Sequence, residues 1–87
     1  MDYPDDFSGR VRFALSLLDA HGWTGAAIAR EAGVNAAQVS RWRDGALPED
    51  ERALARLLRV EPALVRYGPL AELRARSLPV AAEGAAK

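Results

Sequence analysis

The stretch AREAGVNAAQVSRWRDG, residues 29–45, sets one glycine between two short helical patterns. Thr24 is placed to cap the first of them, GAAIAREA, and Asn35 to cap the second, AAQVSRWRD, which ends at Gly45. Gly33 tolerates positive φ without a Cβ clash, as a very short turn between two crossing helices requires. Ala29 falls where the helices cross and is small enough for their backbones to approach. Ile28, Val34, Val39 and Trp42 are expected to point into the shared core, the last two on one face of the second helix. Its other face carries Ala37, Gln38 and Arg41. Such a face suits the major groove of DNA: Gln can bond adenine bidentately, Arg can bond guanine, and an Ala methyl can touch the thymine methyl.

Outward from this stretch the pattern stays helical. Ser8 is expected to cap a helix that runs to about His21 and stops at Gly22, with Val11, Ala14, Leu15, Leu17 and Leu18 as its apolar stripe. On the other side, ALPED reads as a loop in which Pro48 suits a first helical position and Glu49, Asp50 and Glu51 favour a helix N-terminus. Leu54, Leu57 and Leu58 then share one face of a fourth helix. Pro62 begins a short fifth, PALVRY, stopped by Gly68, and Pro69 begins another, PLAELRARS. No strand pattern or internal repeat is visible. The expected fold is an all-α compact bundle of four to six short helices. Residues 1–7 are expected to be an irregular acidic N-terminus, 8–68 the helix-turn-helix domain, 69–78 a dimerisation helix, and 79–87 a mobile tail too poor in apolar residues to pack.

Composition narrows the chemistry. A chain of 87 residues is one small domain. It has no cysteine and one histidine, His21, which leaves no material for disulfides or a metal centre; neither a metal nor a cofactor is expected. His21 reads as a residue of a helix end, where a cation suits the dipole. No nucleophile or carboxylate constellation stands with it, so no enzyme is expected. The polar, acidic start is unlike a signal peptide, and no apolar run could span a bilayer, so a cytoplasmic protein without membrane association is expected. Net charge is zero, whereas nucleic-acid binders usually carry excess cations. The charges are unevenly spread, however. Asp2, Asp5, Asp6 and Asp19 outweigh Arg10 and Arg12 before residue 22, while Arg30, Arg41 and Arg43 outweigh Glu31 and Asp44 over 22–45. Arg52, Arg56 and Arg59 read as a solvated stripe pairing with Glu49 and nearby acids. Both tryptophans, Trp23 and Trp42, are read as packing residues.

IAREAGVNAAQVSRWRDG resembles the helix-turn-helix of the phage repressor and Cro-like family, also called the XRE family. The likeness rests on the small-residue helix, the glycine turn and the SRW of the second helix. It continues through Pro48, Leu54, Leu57 and VEPALVRYG, over roughly residues 9–68. The resemblance implies a lambda repressor-like fold whose second helix enters the major groove. It carries base-reading roles to Ala36, Ala37, Gln38 and Arg41, and phosphate contacts to Thr24, Gly25, Asn35 and Arg43. Two positions depart from the family. Gly25 stands where Gln often clamps phosphate, leaving a bare amide at a helix N-terminus. Arg43 stands where Glu is common, which is expected to add a phosphate-binding charge and lose an internal ion pair. Ala36 and Ala37 have no polar side chain, so direct hydrogen-bonded readout is left to Gln38 and Arg41.

The expected function is sequence-specific binding of double-stranded DNA by a small transcriptional regulator of repressor type. One unit of this size covers little DNA, which points to a homodimer on a two-fold-related site. Leu70, Leu73 and Leu78, spaced along a segment too short to bury them, are the expected dimer contacts. The alternative is an antitoxin or other protein-binding regulator with a toxin or regulatory protein as partner, in which DNA binding is auxiliary.

Overall fold

The computed structural model describes residues 3–82 and contains, among them, six α-helices: α1 (Phe7–Ala20), α2 (Gly25–Ala32), α3 (Ala36–Arg43), α4 (Arg52–Leu58), α5 (Pro62–Tyr67) and α6 (Leu70–Arg76). No helix of the described residues is long and apolar enough to cross a membrane. The chain is therefore the all-α bundle its periodicity implies.

α1 is the central element, packed on α3, α4, α5 and α6. Its Val11, Ala14, Leu15 and Leu18 are sealed from solvent, and Leu17 packs at the edge. Ile28, Val39, Trp42, Leu54, Leu57, Leu58 and Val65 meet this stripe from α2 to α5. The helix begins two residues earlier than a Ser8 cap would allow. Asp6 is the cap, its carboxylate accepting the Gly9 N–H at 2.7 Å. Ser8 instead donates its hydroxyl to the Gly45 carbonyl at 3.2 Å, tying the start of α1 to the end of α3.

The acidic arm is not irregular filler. One Asp5 oxygen accepts both the Arg10 guanidinium at 3.0 Å and the first amide of α6, Leu70 N–H, at 2.8 Å. Arg10 lies 5% exposed. Its Nε donates to the Val65 carbonyl at 2.9 Å, and Nη2 donates to the Arg66 carbonyl. A Cβ at residue 68 would come within 2.8 Å of its Nη1, so Gly68 makes room for the guanidinium.

α4 starts at Arg52 and not at Pro48. Pro48 is buried in the loop, and Asp50 takes the Arg52 N–H at 2.9 Å, an Asx-type local bond that holds the chain out of helix until residue 52. Arg66 of α5 lies over the Phe7 ring and donates two hydrogen bonds to Glu51, at 3.0 and 3.1 Å. Those bonds hold the Glu51 carboxyl below its ordinary value, against an opposing effect of burial. The unfolded chain therefore binds this proton more tightly than the folded one. The stabilisation is complete above the ordinary carboxyl value of 4.5 and is lost as pH falls through the lower folded value. Between those two values the wild-type melting temperature is expected to fall more steeply with falling pH than that of Glu51→Gln. Parallel slopes in thermal melts from pH 6 to 3 would show that the pair contributes nothing.

Two expectations about the C-terminal third are corrected. Leu70 and Leu73 are not free for a dimer: α6 turns both into the monomer's own core, at 7% and 0% exposure. Of the three leucines only Leu78 remains outside, at 62%. Nor are residues 79–82 a loose tail. Leu78 N–H donates to the Leu58 carbonyl at 2.9 Å and Val80 N–H to the Leu57 carbonyl at 2.8 Å, filling acceptors that the end of α4 leaves open. The Trp23 indole N–H donates to the Val80 carbonyl at 2.8 Å, and Ala82 is buried. The remainder of the expected tail, 83–87, lies outside the described residues. Ending the chain after Ser77 is expected to lower stability by about 2 kcal/mol, three hydrogen bonds at roughly 0.5–1.5 each, and to red-shift tryptophan emission. An unchanged urea midpoint would show the strap to be unimportant.

Candidate nucleic-acid interface

The residues that define the turn adopt the geometry their sequence implies. Thr24 caps α2, its hydroxyl oxygen accepting the Ala27 N–H at 3.1 Å. Gly33 ends α2 in the left-handed region at φ 72°, and Val34 N–H closes back on the Ala29 carbonyl at 2.9 Å. Three residues, 33–35, thus separate the helices. Ala29 is buried at their contact, beside Ile28. Asn35 caps α3, accepting the Gln38 N–H at 2.9 Å.

α3 has two unlike faces. Val39 and Trp42 are buried against α1 and α2, which fixes the helix in the body. Ala36, Ala37, Ser40, Arg41 and Asp44 are exposed on the outside. Arg41 makes no side-chain hydrogen bond or ion pair among the described residues. Ser40 was not among the sequence-expected readers. It lies three residues from Ala37 on the same exposed face, a spacing that could have identified it.

Gln38 is placed differently from expectation. It is half-buried and turns back to complete a capping box, its Oε1 accepting the Asn35 N–H at 3.2 Å. It lines a groove of about 470 Å³ with Val34, Trp42 and Leu47. An adenine contact uses both the oxygen and the nitrogen of the amide, and here one lone pair of the oxygen is already taken by Asn35 N–H.

Arg43 is also engaged. Its guanidinium grips Asp19 at the end of α1 bidentately, Nη1 to Oδ2 and Nη2 to Oδ1, the latter at 2.9 Å. The expected loss of an internal ion pair at this position is thus corrected: an arginine–aspartate pair ties α3 to α1. At the start of α2, the amides of Gly25 and Ala26 precede the first helical hydrogen bond and have no acceptor among the described residues. Gly25 is half-buried, with Val39 Cγ1 at 4.0 Å from where a Cβ would be.

Elsewhere most guanidiniums are compensated. Arg56 pairs with Glu31, Arg52 with Asp50 and Arg76 with Glu72. Of the stripe expected to pair with Glu49 and nearby acids, Arg52 does pair with a neighbouring acid, Asp50, while Arg56 reaches across to Glu31 of α2. His21 is exposed, its ring Nδ1 2.9 Å from the Leu17 carbonyl at the end of α1. Set against models of protein families, curated proteins and solved structures, the chain matches none of them.

Proposed function

We propose that this chain is a sequence-specific double-stranded DNA-binding protein, a small dimeric transcriptional regulator of repressor type acting in the cytoplasm, with α3 in the major groove. The observation that carries it is Arg41, an exposed guanidinium with no partner among the described residues, on the outer face of a helix whose inner face is locked in the core. An arginine held out this way suits the O6 and N7 of guanine. The resemblance of residues 9–68 to the phage repressor and Cro-like family supports the same reading. The amides of Gly25 and Ala26, with Thr24 and Asn35, are the groups offered to phosphates at the helix starts. Arg43 contributes there only by giving up Asp19. The homodimer keeps Leu78 as its one exposed leucine of the three.

A second reading has one observation in its favour. The ion pairs of Arg43, Arg52, Arg56 and Arg76 reduce the positive charge open to phosphates in a chain of zero net charge, as suits an antitoxin or other protein-binding regulator with auxiliary DNA affinity. Fluorescence anisotropy separates the two. If α3 reads DNA, a duplex enriched from a random library binds at least about a thousandfold more tightly than random duplex, and binding weakens steeply with salt. Equal, micromolar or weaker binding of both duplexes would leave the protein-binding role.

A further inference from the structure

We propose that the groove between α2, α4 and the strap of residues 80–82 binds a small organic monocarboxylate, its charge on Arg30 and its apolar body against Trp23, Ala27 and Leu57. The groove offers about 620 Å³, a size that suits a small molecule. One wall is the strap itself, held down by the bond from Val80 N–H to the Leu57 carbonyl. No residue of α3 lines the groove, and the site holds whether or not α3 reads DNA.

The charges at the groove choose the sign of the ligand. Arg30, Arg56 and Glu31 all line it. Arg56 Nη2 lies 3.5 Å from Glu31 Oε2 and donates to the Glu31 carbonyl at 3.2 Å, so these two charges compensate each other. Arg30 is exposed and has neither a hydrogen bond nor an ion pair among the described residues. One positive charge is left over, which suits a monoanion, while a second negative charge on the ligand would meet Glu31. The planar guanidinium takes a carboxylate through two parallel N–H···O bonds. The Thr24 hydroxyl accepts the Ala27 N–H and keeps its own proton, a second donor at the groove.

The walls choose the rest. Trp23 has spent its indole N–H on the Val80 carbonyl at 2.8 Å, and Ala27, Leu57 and Ala82 bring no polar side chain. A guanidinium in water holds a lone anion weakly, because solvent and salt screen it. An inorganic ion would also leave the apolar walls wet. A carboxylate with an aryl or alkyl body covers them, and that burial separates it from ordinary salt.

The test titrates the full isotope-labelled chain with phenylpropionate, with its uncharged amide and with inorganic phosphate, read by amide and indole N–H shifts in NMR. Phenylpropionate is expected to move the Trp23 indole signal and the amides of Thr24, Arg30 and Val80 saturably, with a Kd of about 0.1–1 mM, ordinary for a ligand of roughly ten heavy atoms. The amide and phosphate should bind at least about tenfold more weakly, the worth of one charge-assisted contact. Arg30→Gln, at an exposed position, should weaken phenylpropionate by about the same factor and leave the amide unaffected. Ala27→Leu fills the groove without altering charge and should remove binding of both. If phosphate or the amide binds as tightly as the acid, if Arg30→Gln changes nothing, or if no signal at the groove moves saturably at millimolar ligand, the groove is not a carboxylate site.

Discussion

Arg10→Ala is expected to destabilise the domain by about 3 kcal/mol and to lower its melting temperature by about 15 °C, at roughly 4–8 °C per kcal/mol for a chain of this size. The guanidinium is buried and ties together three segments, its own α1, the arm through Asp5, and α5 through the carbonyls of Val65 and Arg66. Alanine would strip two carbonyls of their donor, at about 1–3 kcal/mol for each that stays dry. Asp5, with half its side chain in water, would rehydrate, which keeps the loss below that of a fully buried ion pair. Arg10→Lys should recover only part of it, since an ammonium cannot reproduce the planar fork that reaches three acceptors. Urea unfolding of the three proteins decides this. A loss under about 0.5 kcal/mol, the range of ordinary surface changes, would mean that the three segments hold together without Arg10.

Leu73→Ala should destabilise by about 2–5 kcal/mol, the range for deleting a fully buried leucine side chain. Leu73 is wholly enclosed in one chain, so the loss should be the same at micromolar and at hundredfold higher concentration. If Leu73 sealed a dimer, the midpoint would rise with concentration in the wild type, and the variant would lose that dependence. Leu78→Ala, at an exposed position, should leave the unfolding midpoint within about 0.5 kcal/mol.

The turn at Gly33 was legible because its determinants are local. Thr24, Gly33 and Asn35 lie within a few residues of the groups they bond, and their chemistry offers few alternatives. Ser8 shows the limit of that logic. Asp6 and Ser8 are both good caps, and the choice turned on the distant Gly45 carbonyl, which takes the Ser8 hydroxyl. Leu70 and Leu73 looked exposed because a seven-residue helix seemed too short to bury them, yet α1 supplies the surface they cover. Residues 79–82 have little apolar area and were expected to be loose. They are held through backbone amides and the Trp23 indole, which apolar content does not register. Arg10 was visible only as a charge, since its carbonyl partners lie 55 and 56 residues away. At the candidate interface the outward side of α3 was legible from its spacing. The engagement of Gln38 with Asn35 and of Arg43 with Asp19 depends on rotamers and on a second helix, and spacing alone could not give it.

The most direct measurement is anisotropy of enriched and random duplexes at one salt concentration, for wild type and Arg41→Ala. If Arg41 reads a base, the substitution removes about 1–3 kcal/mol of the preference for the enriched duplex and changes affinity for random DNA far less. If the preference is unchanged, or if both duplexes weaken equally, the outer face of α3 does not read sequence through Arg41.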